Sequence, residues 1–222
     1  MKSFLSCISA VVISFITMSA AGQSCFCSPF SDPLCQCDPM SGNCDRPESP
    51  LMIKLSEGPW RLTGLDDPVQ FDIRAIGRKY TMGWTVSGAD IAFLALDRNG
   101  NGMIDDGSEL FGNATALPDG KRAPNGFVAL GQYDENHDGV IDKSDSIWNA
   151  LLLWVDRNHD GISQAGELTP ISATAITSIL LSDHWTGRRD PAGNLFRYEA
   201  LVRVGNRLET FYDIYFVIMP PQ

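Results

Sequence analysis

The pattern D-x-[DN]-x-[DN]-G occurs three times, at Asp97-Arg98-Asn99-Gly100-Asn101-Gly102, Asp134-Glu135-Asn136-His137-Asp138-Gly139 and Asp156-Arg157-Asn158-His159-Asp160-Gly161. Average residue usage gives on the order of 0.01 such hits in a chain of this length, so composition does not produce three. The pattern suits a hard cation. Calcium takes six to eight oxygens at about 2.3–2.6 Å, and oxygens at loop positions 1, 3 and 5 converge when the chain turns tightly around the ion. Position 6 then needs a positive φ, which glycine adopts at no steric cost. Position 7 supplies a backbone carbonyl, position 8 an apolar anchor and position 12 a closing carboxylate.

Each loop can be scored on that scheme. The first offers Asp97, Asn99, Asn101, the Met103 carbonyl and Asp105, but its glutamate, Glu109, arrives at position 13. Ser108 at position 12 is a weak closer, and Gly107 is flexible enough to absorb one extra residue, so Glu109 is expected to reach the ion. The middle loop offers Asp134, Asn136, Asp138, the Val140 carbonyl, Asp142 and Asp145 at position 12, with Ile141 at position 8. The third offers Asp156, Asn158, Asp160, the Ile162 carbonyl and Glu167 at position 12. Its isoleucine stands at position 7 instead of 8, so its second half must wind differently. His137 and His159 occupy position 4 of their loops and are expected to face solvent. No HExxH or GxSxG motif is present. Ligand duty accounts for most carboxylates that a glycosidase pair would need.

These loops must be held by the elements around them. Leu51–Leu55, Val69–Ile73 and Tyr80–Ser87 read as strands bounded by Gly, Pro and Asp. Phe196, Tyr198, Ala200, Val202 and Val204 alternate with mostly polar neighbours, and Gly205-Asn206 turns the chain into Leu208–Ile218, a hairpin signal. Between the two β regions, Ile147, Leu151 and Trp154 fall at i, i+4 and i+7, which predicts a short buried helix over Ser146–Val155. Phe127–Tyr133 is a second helix candidate. Only 22 residues separate Asp134 from Asp156, room for a single helix of roughly 15 Å between the middle and third loops. The spacing therefore predicts that these two sites share the helix and order one another. The expected fold class is α+β, with strands at both ends flanking a short-helix segment.

Lys2, the apolar run from Phe4 to Thr17 and Ser19-Ala20-Ala21 read as a signal peptide over residues 1–21. The expected location is extracellular or at the cell surface. No later run is long and apolar enough to cross a bilayer. Removing the leader takes the net charge from −10 to −11, which argues against nucleic acid as a partner. Thirteen acids against five bases lie between Asp97 and Glu167. Cys25, Cys27, Cys35, Cys37 and Cys44 remain in a Pro-rich tether over residues 22–50. Export predicts that they pair as disulfides, with one left over, or that Cys25 is lipidated and four pair. A zinc site lacks nearby histidine. Residues 51–222 then form one domain.

LDRNGNGMIDDGSELFGNAT, NGFVAL, YDENHDGVIDKSD and LLLWVDRNHDGISQAGELTPI together resemble bacterial secreted proteins with EF-hand-like calcium loops, including segments of RTX-type exoproteins. The resemblance implies a calcium-stabilised surface or interaction module of unspecified partner. In such relatives an aspartate-rich loop precedes the segment matching Gly83-Trp84. Here Phe71-Asp72-Ile73-Arg74-Ala75-Ile76-Gly77 puts an arginine and an isoleucine at ligand positions, so that site is expected to be dead. Some relatives also carry a calcium-triggered self-processing module that cuts an Asp–Pro bond. This chain has Asp32-Pro33, Asp38-Pro39, Asp67-Pro68 and Asp190-Pro191. The rival expectation is therefore a self-cleaving enzyme. A third is an adhesion module contacting its partner through Trp185-Thr186-Gly187-Arg188-Arg189. Asn113-Ala114-Thr115 is a glycosylation sequon, meaningful only in a eukaryotic host.

Overall fold

A computed structural model describes residues 47–219, together with the backbone of a short ladder pairing β1 (Gln36–Cys37) with β2 (Cys44–Asp45). The leader and most of the tether lie outside the described residues, as do the side chains of all the cysteines. The strands that follow are β3 (Leu51–Lys54), β4 (Val69–Phe71), β5 (Tyr80–Met82) and β6 (Ile91–Ala95). After the helix α1 (Gly126–Gly131) come β7 (Val140–Asp142), β8 (Leu152–Trp154) and β9 (Leu168–Pro170). The last group is β10 (Ile176–Leu180), β11 (His184–Arg189), β12 (Leu195–Val204) and β13 (Arg207–Tyr215). Nine of them form one curled antiparallel sheet in the order β7-β10-β12-β13-β3-β6-β8-β9, with β11 also on β12. β4 and β5 pair separately.

The long β12–β13 hairpin pairs Val204↔Arg207 through Tyr198↔Asp213 in one register, shifts by one residue between Tyr198 and Phe196, and ends at Leu195↔Tyr215, with Gly205 at a φ of 56° in its turn. The central strands are apolar on both faces. Leu51 and Ile53 of β3, Leu94 of β6 and Leu153 of β8 enter one core with Phe111, Phe127 and Phe211. Their neighbours Met52, Phe93 and Trp154 enter a second core with Phe71, Trp84, Phe196 and Phe216. Alternation of side chains across a strand feeds both layers.

The expected α+β class does not stand: the protein is mainly β, with one α-helix of six residues among the described residues. The buried helix expected over Ser146–Val155 is instead a 3₁₀ turn at Ser146–Asn149 followed by β8. A run that is apolar on every side reads alike as a buried helix or as a strand buried on both faces, and periodicity cannot separate them. What decides here is that β8 fits between β6 and β9, pairing Phe93 with Trp154 and Leu152 with Pro170. The other helix candidate, Phe127–Tyr133, corresponds to α1. Asn125 caps it by accepting from the Val128 amide at 2.8 Å.

Candidate metal centre

The three acidic loops lie between strands of this sheet, or between α1 and a strand. The first leaves β6 and returns at Leu110, which bridges to Ala95. The third leaves β8 and returns into β9. The middle one follows α1 and runs into β7 at its seventh residue. None is flanked by two α-helices; the middle one runs from α1 to the 3₁₀ turn at Ser146–Asn149.

The opening aspartate of each loop gathers backbone amides. Asp97 accepts from Gly100 at 2.8 Å, Asn101 at 3.2 Å and Gly102 at 2.8 Å. Asp134 accepts from Asp138 and Gly139. Asp156 accepts from His159, Asp160 and Gly161. This winding takes the chain left-handed twice. Position 6 is glycine in all three loops, at φ 82°, 79° and 68°. Position 4 is left-handed too, in Gly100 (73°), His137 (58°) and His159 (62°). Sequence reasoning anticipated only the glycine at position 6, although Gly100 signalled the second requirement.

The closing carboxylate is equivalent in all three loops. It takes the amide of position 2 on one oxygen and the amide of position 9 on the other. Glu109 does so with Arg98 at 3.0 Å and Asp105 at 2.8 Å, and Asp145 with Glu135 at 2.9 Å and Asp142 at 3.0 Å. Glu167 does so with Arg157 at 2.7 Å and Gln164 at 3.3 Å. Position 13 therefore does the work of position 12 in the first loop. Ser108 turns away onto Asp106. The closers are buried, Asp145 to 1% exposure and Glu109 to 2%.

Between opener and closer, exposed side chains meet at the loop centre. Asn99 and Asn101 both donate to Asp105 Oδ2, at 3.1 and 2.6 Å. Asn158 and Gln164 both donate to Asp160 Oδ2 at 2.8 Å. Gln164 stands at position 9, so it joins the third loop's donor set, a residue the sequence scoring omitted. In the middle loop Asn136 donates to Asp138 at 2.9 Å, while Asp142 caps the Ser144 amide instead. Among the described residues, no group of three or more His, Cys, Asp or Glu gathers as a metal-holding cluster. The groups that meet at the loop centres are a mixture of carboxylates and amides. An all-oxygen set of that kind fits a hard cation and not zinc. The amide oxygens of Asn99 and Asn101 each accept one backbone N–H, at 2.9 and 2.8 Å, which leaves a lone pair on each.

The third loop is wired into the core. Asp156 is fully buried and also accepts from the Trp84 indole at 2.7 Å, and Glu167 accepts from the Trp154 indole at 3.3 Å. His137 is exposed as expected, but His159 is not. Its ring nitrogens lie 2.6 Å from the Thr85 carbonyl oxygen and 3.2 Å from that of Asp67. Trp148 and Trp154 are both core residues.

Asp72 opens a fourth loop of the same shape. It accepts from Ile76, Gly77 and Arg78, with Ala75 (φ 53°) and Gly77 (φ 77°) left-handed at positions 4 and 6. Arg74 and Ile76 stand at positions 3 and 5, and the Arg74 guanidinium lies 4.7 Å from the centre of the Tyr80 ring. Position 12 is Gly83, where a Cβ would lie 2.6 Å from the Thr63 carbonyl oxygen. No closing side chain fits there. The Trp185–Arg189 segment is not a loop but most of edge strand β11, with Trp185 53% exposed.

Residues 51–217 match the SPM domain, and the chain belongs to that family. It is also similar to the iron-regulated protein FrpA of Neisseria meningitidis serogroup C, 39% identical over 140 residues. That alignment covers 63% of this chain and 12% of the relative. These findings correct the expected kinship with EF-hand-like proteins and RTX calcium segments: the family is the SPM domain, and the loops sit in a β fold without paired helices. The EF-hand label is withdrawn with it. The expected disulfides are not found among the described residues, which include no cysteine side chain. Among those residues no helix is long and apolar enough to cross a membrane.

Proposed function

We propose that this SPM-domain chain is an exported calcium-binding protein whose loops use the ion to stabilise an extracellular β domain. The supporting observation is the repeated wiring: opener onto amides 5 and 6, with amide 4 added in the first and third loops, and closer onto amides 2 and 9, in one loop of thirteen residues and two of twelve. Asp97, Asn99, Asn101, Met103, Asp105 and Glu109 would hold one ion. Asp134, Asn136, Asp138, Val140, Asp142 and Asp145 would hold a second, and Asp156, Asn158, Asp160, Ile162, Gln164 and Glu167 a third. Bound calcium supplies positive charge where 13 acids face five bases. The protein's own contribution is to pre-wind each loop on backbone amides, which lowers the ordering cost of binding.

Extracellular modules of this chemistry bind at roughly 10⁻⁴ to 10⁻³ M. Calcium at ten times Kd then stabilises the fold by about 1.4 kcal/mol per site. Melting curves in chelator and in millimolar calcium test this, with a rise expected in calcium. Superimposable curves defeat the proposal.

One observation favours a second reading, hydrolysis of the Asp67–Pro68 bond. His159, inside the third loop, places Nε2 3.2 Å from the carbonyl oxygen of that bond and 3.5 Å from the Asp67 carboxylate. The other described pair is occupied as a turn, with Asp190 accepting from the Asn194 backbone and side chain at 2.9 and 3.0 Å. The reaction would consume one water and leave new termini at Asp67 and Pro68. Intact-mass measurement after calcium addition decides it: an unchanged mass eliminates cleavage and leaves the binding proposal standing.

A further inference from the structure

We infer that the first and third loops form one coupled pair, joined at their eighth positions, while the middle loop binds independently; this rests on the calcium reading above. Ile104 is position 8 of the first loop and Ser163 position 8 of the third. The Ile104 amide donates to Ser163 Oγ at 2.6 Å, and the same hydroxyl donates back to the Ile104 carbonyl at 3.3 Å. Both residues are buried to 2% exposure, so water does not compete for these bonds. Here lies the reason the third loop carries serine where the pattern calls for an apolar anchor. Its partner is a backbone peptide, and a hydroxyl can both accept from and donate to it.

The bridge sits among ligands on both sides. Met103 and Ile162, the position-7 carbonyls, precede the bridging residues, and Asp105 and Gln164 follow them. A loop that tightens around its ion therefore moves the ligands of the other. The loop roots are joined as well. β6 and β8 are neighbours, and each loop closes by the same bond, Leu96 N to Glu109 O at 2.8 Å and Val155 N to Glu167 O at 3.0 Å. The middle loop has no such connection at position 8. Its Ile141 lies in β7 opposite Ile179 of β10, an ordinary sheet strand. The sequence spacing had paired the middle and third loops through a helix, and that helix is absent.

The test follows the backbone amides of Gly102, Gly139 and Gly161 in the full chain during calcium titration, one reporter per loop. Asp97→Asn is expected to raise the calcium midpoint of Gly161 about fivefold, and Asp156→Asn to raise that of Gly102 by the same factor, since coupling is reciprocal. Asp134→Asn should leave both within about twofold. In a Ser163→Ala background, Asp97→Asn should no longer shift Gly161, and Ser163→Thr, which keeps the hydroxyl, should preserve the shift. If Ser163→Ala does not fold, the two aspartate variants decide alone. Coupling is overturned if Gly161 keeps its midpoint in folded Asp97→Asn, or if Gly139 shifts equally with it. A wild-type spectrum unmoved at about 20 mM calcium overturns the binding proposal itself, since even weak extracellular sites fill there.

Discussion

The loop opened by Asp72 and the loop opened by Asp156 share a backbone. In each, one carboxylate gathers three amides, and positions 4 and 6 are left-handed. They differ at the positions a cation would use. The Asp156 loop carries Asn158, Asp160, Gln164 and Glu167; the Asp72 loop carries Arg74, Ile76, Tyr80 and Gly83 in the same places. The winding is thus a property of the opening aspartate and two permissive backbone positions. The residues at the positions a cation would use vary independently of it. The Asp72 loop carries arginine at position 3, its guanidinium over the Tyr80 ring, and isoleucine at position 5, so it lacks the side-chain oxygens that the other loops have there.

Removing the opener should break this comparison most sharply. Asp156→Ala leaves three amides and the Trp84 indole without their acceptor in a fully buried setting, and should cost about 3–5 kcal/mol while abolishing any calcium dependence of the third loop. Asp72→Ala should cost about 1–3 kcal/mol, by the same amount in chelator and in calcium. Urea denaturation of both variants in the two buffers measures this. A calcium-dependent cost for Asp72→Ala would show that the fourth loop is not a bystander.

Asp213 is the contrasting buried carboxylate, far from the loops in sequence and placed on β13. Burial raises its pKa to about 6, offset in part by the Gly126 amide, which donates to it at 3.0 Å. Folding therefore takes up a proton here between the unfolded value near pH 4 and pH 6. The stabilisation is present below about pH 4 and lost as the pH rises through about 6, a span of roughly 3 kcal/mol for a shift of two units. Asp213→Asn keeps the acceptor for Gly126 and removes the charge. It should stabilise the protein by about 1–3 kcal/mol at pH 7, with the gap closing towards pH 4. Melting in chelator across that range isolates the effect from the loops, and an unchanged gap would refute it.

The finest distinction lies inside the first loop. Glu109→Gln should weaken calcium binding there about tenfold, a change of 1.4 kcal/mol, while Ser108→Ala should change it less than about twofold. Calorimetric titration of the two variants separates them. The opposite ranking would mean that the extra residue, and not the glutamate, sits at the ion.

Much of this was readable in advance because it is local. An aspartate followed by glycine five residues on reports a turn whose bonds span a handful of residues, and all three loops form where the pattern occurs. The β12–β13 hairpin was equally plain, since its near-regular alternation and Gly205-Asn206 require only neighbouring residues. The strands β6 to β11 went unread, and for two of them, β6 and β8, the reason is the opposite one. Ile91–Ala95 and Leu152–Trp154 are buried on both faces, so they show no alternation, and only their partners reveal them. His159 looked solvent-facing because its position in the loop points outward. What lies outward there is the Thr85 and Asp67 backbone, supplied from some 70 to 90 residues away.

The amino-acid order alone settled where the acidic loops lie, where the chain would turn left-handed at the position 6 glycines, and that a late Glu109 could still close its loop, because each depends on contacts within a dozen residues. The tertiary fold settled which loops touch. Spacing along the chain joined the middle loop to the third, but antiparallel pairing of β6 with β8 brings the first and third together at Ile104 and Ser163, 59 residues apart. Sequence distance measures the length of a connection. Only the sheet, by burying both strands, determines which ends lie side by side.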